Sequence, residues 1–140
     1  MLNELRVGVV GYSSKQFDLQ LASQLIKNAF DKVDKEYANH KKIIISGLTD
    51  LGIPSLAYKE ACKRRWKTIG IACSKATEHK CFPVDKKIIV GTQWGEESAT
   101  FLDLIDILIR VGGGEQAKKE TDLMKKKGKL VIEYDLVAQD

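Results

Sequence analysis

The chain has 140 residues, 44% of them hydrophobic and 30% charged, with a formal net charge of +4. That length suits a single domain, 1–140, with a true core, and every apolar run is too short to span a bilayer. The start, Met1-Leu2-Asn3-Glu4, lacks the basic region and long apolar stretch of an export signal, so a cytoplasmic protein with no membrane partner is expected.

In chain order, Leu5 to Gly11 reads as a first strand. From Gln16 to about Tyr37 the apolar residues Phe17, Leu21, Leu25, Ala29 and Val33 keep a helical period. Ile43 to Ile45 is a short buried strand. Gly47 to Gly52 turns into a helix that Pro54 can open and Lys63-Arg64-Arg65 can close. Lys67 to Ala72 is a third strand, and Ser74 to Asp85 has no clear period, so it reads as a loop with a short helical piece. Ile88 to Val90 gives a fourth strand, Glu96 to Leu102 a short helix, Ile105 to Val111 a fifth strand, Glu115 to Lys127 a helix, and Leu130 to Tyr134 a last strand. Continuous apolar strands alternating with helices predict an α/β fold, a three-layer sandwich around a mostly parallel central sheet.

In such sheets ligands sit beyond the carboxyl ends of the strands, so the turns after the strands are the places to look for function. Four qualify. In the first, Gly11 admits close backbone approach, and Ser13 and Ser14 can cap the next helix or donate to a phosphate. In the second, Ser46, Gly47, Thr49 and Gly52 precede a helix start whose N–H groups favour an anion; a plain tight turn would use the same residues. The third holds Thr92 and Trp94, whose ring can stack on a base or fill space between helices, and Glu96 and Glu97 near a helix start are favourable with no ligand at all. The fourth is Gly112-Gly113-Gly114 followed by Glu115. Three successive glycines are hard to justify by packing, since each lowers strand or helix stability by ~0.5–1 kcal/mol.

Other chemistries find little support. Cys62, Cys73 and Cys81 are odd in number and lack CxxC spacing, so reduced thiols are expected, and they form no metal-ligand spacing with His40 or His79. The basic clusters Lys63-Arg64-Arg65, Lys86-Lys87 and Lys125-Lys126-Lys127 lack interleaved aromatics, so solubility explains them as well as nucleic-acid binding does. Neither a serine-hydrolase elbow nor a P-loop is present, and no cofactor or metal is expected.

The pairing of Ile45-Ser46-Gly47 through Gly52 with Gly112-Gly113-Gly114 through Glu120 resembles the SLOG superfamily of Rossmann-like proteins, over Val7 to about Ile132. That group includes the Lonely Guy phosphoribohydrolases and the DNA-processing protein A domain. The resemblance implies a Rossmann-like domain that binds a nucleotide or nucleotide-derived phosphate, often as a homodimer. In the enzyme branch the later motif is similar to Gly-Gly-x-Gly-Thr-x-x-Glu, which places Glu120 at the catalytic acid, but Gln116 and Ala117 stand where Gly and Thr are expected. The enzymes also pair that acid with an arginine after the fourth strand, and Gly91 to Leu102 contains none. The leading expectation is therefore ligand binding without efficient turnover. Release of base from nucleoside monophosphates and single-stranded nucleic-acid binding are the alternatives.

Overall fold

The computed structural model describes residues 3–139. Six strands form one sheet in the order β4-β3-β2-β1-β5-β6, and every adjacent pair is parallel. They are β1 (Glu4–Gly11), β2 (Lys41–Ser46), β3 (Lys67–Ala72), β4 (Lys86–Ile89), β5 (Ile107–Val111) and β6 (Leu130–Tyr134). Helices α1 (Leu19–Glu36), α2 (Gly52–Lys63), α3 (Ser98–Leu104) and α4 (Glu115–Lys126) connect them. The fold is a three-layer, Rossmann-like α/β sandwich.

Strand alternation divides the core between the two faces. Val7 and Val9 of β1, Ile44 of β2 and Ile107 and Ile109 of β5 pack with Phe30 of α1 and Tyr58 of α2. Ile43 and Ile45 of β2 and Leu108 of β5 join Phe101 and Leu102 of α3 and Met124 of α4 on the other face. At Gly8 a Cβ would lie 2.6 Å from Ile105 Cδ1, so this glycine lets the end of α3 press onto the central strand. Among the described residues no helix is long and apolar enough to cross a membrane.

Several boundaries differ from the sequence reading, each for a local reason. Helix α1 starts at Leu19 rather than Gln16, because Asp18 caps it by accepting the Leu21 N–H at 3.0 Å, while Gln16 bridges to Gln139. Helix α3 starts at Ser98 rather than Glu96, because the Glu96 carboxylate is engaged with the turn before it. Strand β5 starts at Ile107, since Ile105 closes α3. The helical piece expected between Ser74 and Asp85 is a short 3-10 helix, Ser74–Glu78.

The strand order reverses at β1. From β1 the chain steps outward through β2, β3 and β4, then crosses back to β5 on the other side. Loops leaving β1 and β5 diverge to opposite faces, and a crevice opens at the carboxyl edge between them, where open α/β sheets bind ligands.

Candidate functional site

A cleft of about 400 Å³ occupies that edge. Its walls come from the loops after β1 and β2, the end of β3, and the facing ends of α3 and α4. Of the residues singled out in the sequence, Gly11, Ser13, Ser14, Ser46, Gly47, Thr49, Trp94, Gly114, Glu115 and Glu120 line it. Gly52, Thr92, Gly112 and Gly113 do not, and each has another task.

Those tasks are conformational. Gly112 and Gly113 have φ of +63° and +98°, in the region that side chains avoid. A Cβ at Gly112 would meet the Tyr12 ring at 2.6 Å, and one at Gly113 would meet Ala117 Cβ at 2.6 Å. Both let the β5 loop lie against the β1 loop. Gly52, with φ +59°, lets the start of α2 close on the same loop, where the Ile53 N–H donates to the Tyr12 carbonyl at 2.8 Å. Thr92 belongs to a turn in which its N–H and that of Gln93 donate to Glu96 Oε1 at 3.0 and 2.6 Å, holding that carboxyl below its ordinary range.

Gly47 and Gly114 are different. Neither has a positive φ, a Cβ at Gly47 would approach only Pro54, at 3.8 Å, and one at Gly114 would meet nothing within 4 Å. Their missing side chains serve neither packing nor strain. They leave the cleft wall bare at these two points.

The two helix starts near the cleft also differ. At α2, a helix start expected to favour an anion, Ile53 N–H goes to Tyr12, Pro54 has none, and Ser55 N–H returns to the Leu51 carbonyl, which leaves the Gly52 N–H alone without an acceptor among the described residues. At α4, Gly114 is the N-cap and supplies no side-chain cap. The N–H groups of Glu115, Gln116 and Ala117 have no acceptor among the described residues, and all three residues line the cleft. Four orphan donors and the positive end of the dipole normally make such a terminus attractive to an anion. Lys15 brings a cation to the same cleft.

Glu120 projects from the next turn of α4 and is 6% exposed. Its Oε2 accepts the Ser98 hydroxyl at 2.8 Å. Burial pushes its pKa from an ordinary 4.5 up to about 7; the Ser98 hydrogen bond opposes the rise and the Glu97 charge adds to it. None of the ion pairs among the described residues includes Glu120, consistent with the missing arginine.

Four supporting residues were not among the site residues read from the sequence. Buried Tyr58 donates toward the Gly47 carbonyl at 2.9 Å and lies 3.0 Å from that of Ile69, tying the β2 turn to β3, and its burial raises its pKa. Nothing distinguishes it in the sequence from a core tyrosine. Arg110, 7% exposed, donates to the Gly112 carbonyl at 2.8 Å and to Asp135 at 2.9 Å, so it holds the glycine turn from behind. A charge inside an otherwise apolar strand was its signal. Glu97 and Ser98 face Glu120 across the cleft end, and their sequence context announces only a helix start.

Trp94 stands at the rim, 53% exposed, with its ring 6.0 Å from that of His79. The basic clusters lie elsewhere and are partly neutralised. Arg64 pairs with Asp31, Asp34 and Glu60, Lys125 with Glu133, and Lys127 with Asp103. Cys62 is exposed, Cys73 buried and Cys81 half-buried, all as free thiols.

The model of the SLOG cluster4 family matches residues 4–140. The chain belongs to that family. No curated protein matches this SLOG chain. Among solved structures it is similar to the molybdenum cofactor carrier protein of Chlamydomonas reinhardtii, with a TM-score of 0.73 and 20% identity over 94% of this chain and 76% of that one. It is also similar to the molybdenum cofactor binding protein of the phototrophic bacterium Rippkaea orientalis, with a TM-score of 0.69 and 26% identity over 95% of this chain and 76% of that one. At this identity the algal likeness speaks for the shared SLOG fold.

Proposed function

We propose that this SLOG chain binds a phosphate-bearing small molecule of nucleotide or related heterocyclic type at the carboxyl edge of its sheet, without efficient turnover. The observation that carries the reading is the start of α4, where three N–H groups without acceptors among the described residues open onto the cleft beside Gly114 and opposite Gly47. A phosphate there would meet backbone donors and a helix dipole together, with Lys15 within the same cleft. Two structural neighbours described as handling molybdenum cofactor support a carrier or binding role, and they add that cofactor to the ligands worth testing.

The weak case for turnover rests on Glu120. Cleavage of an N-glycosidic bond develops positive charge on the sugar, and a carboxylate stabilises it best when a cation fixes its position and ionisation. Glu120 instead has no cationic partner among the described residues, and burial, with the Glu97 charge adding to it, holds it half-neutral near pH 7 against the opposing Ser98 hydrogen bond.

Calorimetry and thermal shift with inorganic phosphate, AMP, ADP-ribose, cyclic dinucleotides and molybdenum cofactor test the binding. The expected result is saturable binding of at least one of them, weakened by Gly114→Val; failure of all of them sinks the proposal. Chromatography of nucleoside monophosphates after incubation tests the second half. Free base released by the wild type and not by Glu120→Gln would make the protein a phosphoribohydrolase.

A further inference from the structure

The cleft has two ends of opposite character. At one, the α4 N-terminus favours an anion although Glu115 stands in its first turn, and Lys15 lines the same cleft. At the other, Glu97 and Glu120 both line the wall, and among the described residues neither takes part in an ion pair. Glu120 lies five residues on from Glu115 in the helix, about 7.5 Å along the axis, so one small molecule can touch both ends.

Glu120 is more than one acid in a group of acids. It is buried, at 6% exposure, yet only Oε2 is satisfied, by Ser98. Oε1 has no donor among the described residues and is not sealed away from solvent, and Glu120 lines both the cleft and the adjoining pocket that it shares with Ser98. A largely desolvated carboxylate oxygen lacking a donor is unfavourable, and a ligand N–H placed there recovers the interaction at charge-assisted strength.

We propose that Glu120 selects the ring of the ligand, accepting from the paired N–H donors of a 2-amino-4-oxopyrimidine edge, the edge that guanine and the pterins share. The inference rests on the cleft being the phosphate-ligand site argued above. Two adjacent donors, a ring N–H and an exocyclic amino group, suit a carboxylate with one free oxygen and a second acid beside it. Adenine does not, because its ring nitrogen next to the amino group is an acceptor and would face the carboxylate lone pairs. Hypoxanthine keeps the ring N–H and lacks the amino group, which makes it the sharpest comparison.

Calorimetry of the intact protein with GMP, IMP, AMP, inorganic phosphate and a 6-substituted pterin phosphate decides the matter at pH 8, where Glu120 is mostly ionised. GMP or the pterin phosphate, or both, should bind about tenfold to a hundredfold more tightly than IMP and AMP, as loss of a hydrogen bond to a charged group implies. Which of the two binds separates a guanine nucleotide from a pterin as the source of the edge. In Glu120→Gln the preference over IMP should collapse to near unity while inorganic phosphate still binds. Equal binding of GMP, IMP and AMP with no pterin preference overturns the inference and leaves phosphate binding intact, as does a preference that survives in Glu120→Gln. Failure of every phosphate ester to bind overturns both readings. Should the variant fail to fold, the wild-type series repeated at pH 5, where Glu120 is protonated, takes its place: the preference should fall there, and a preference equal at pH 5 and 8 overturns the inference.

Discussion

Replacing Glu120 by glutamine has a stability consequence that follows directly from its surroundings. Burial, reinforced by Glu97 and opposed by Ser98, moves this carboxyl from an ordinary 4.5 to about 7 in the folded chain. Below pH 4.5 it is neutral in folded and unfolded chains alike. As the pH rises from there to about 7, the unfolded chain releases the proton while the folded chain keeps it, so the stability contributed by the neutral buried acid is lost through that window. At ~1.4 kcal/mol per pH unit the window is worth up to ~3 kcal/mol. Glutamine has nearly the same shape, accepts the Ser98 hydrogen bond through its carbonyl, and does not titrate. Urea unfolding of both proteins at pH 4.5, 6 and 8 isolates the effect, because all other titrations cancel in the difference. The variant should gain on the wild type by ~2–3 kcal/mol between the ends of that range. A difference that stays constant with pH refutes the idea that Glu120 is a desolvated carboxyl without a compensating cation.

Three further outcomes follow from the glycine turn and its supports. Gly112→Ala should lower stability by ~2–4 kcal/mol, since a Cβ at φ +63° is strained and would press on the Tyr12 ring; thermal unfolding measures it. Gly114→Ala should stay within ~1 kcal/mol of wild type in the same assay, because its φ is ordinary and a Cβ meets nothing, while its affinity for inorganic phosphate falls severalfold. Tyr58→Phe should cost ~1–3 kcal/mol in urea unfolding, because the part-buried carbonyl of Gly47 loses its hydroxyl donor; a neutral result would remove Tyr58 from the set of residues that position the β2 turn.

The parts of this fold that were readable in the sequence are those governed by short-range pattern. The apolar runs of β1, β2, β3 and β5, the helical period through Ala29 and Val33, and the punctuation by Gly47, Gly52 and Gly112 place every strand and helix within a few residues. The misjudged edges are those where a side chain interrupts the pattern: Asp18 capping α1, and Glu96 folding back onto the turn before α3. In the site, residues on the post-strand turns were readable because topology alone sends them to one edge. Glu97, Ser98, Tyr58 and Arg110 were not, since their roles depend on which helix face or strand face meets a turn from elsewhere in the chain.

Gly112, Gly113 and Gly114 look alike in sequence, and the structure divides their work. Gly112 and Gly113 turn the chain through positive φ so that the β5 loop can lie on Gly11 and Tyr12, and the buried Arg110 guanidinium secures the bend through the Gly112 carbonyl. These interactions close the fold around the switch point and require no ligand. Gly114 alone has an unstrained backbone and no neighbour for a side chain, and it stands directly before the three N–H groups left without acceptors among the described residues. Serine, aspartate or asparagine at this position would cap α4 with a side chain, at a gain of only about a few tenths of a kcal/mol over glycine, which is itself a favoured N-cap. Any such cap would fill the place where a phosphate meets those donors. Gly114 therefore differs from the two glycines before it in being required by neither strain nor packing, which makes it the position of the three where a substitution separates binding from stability.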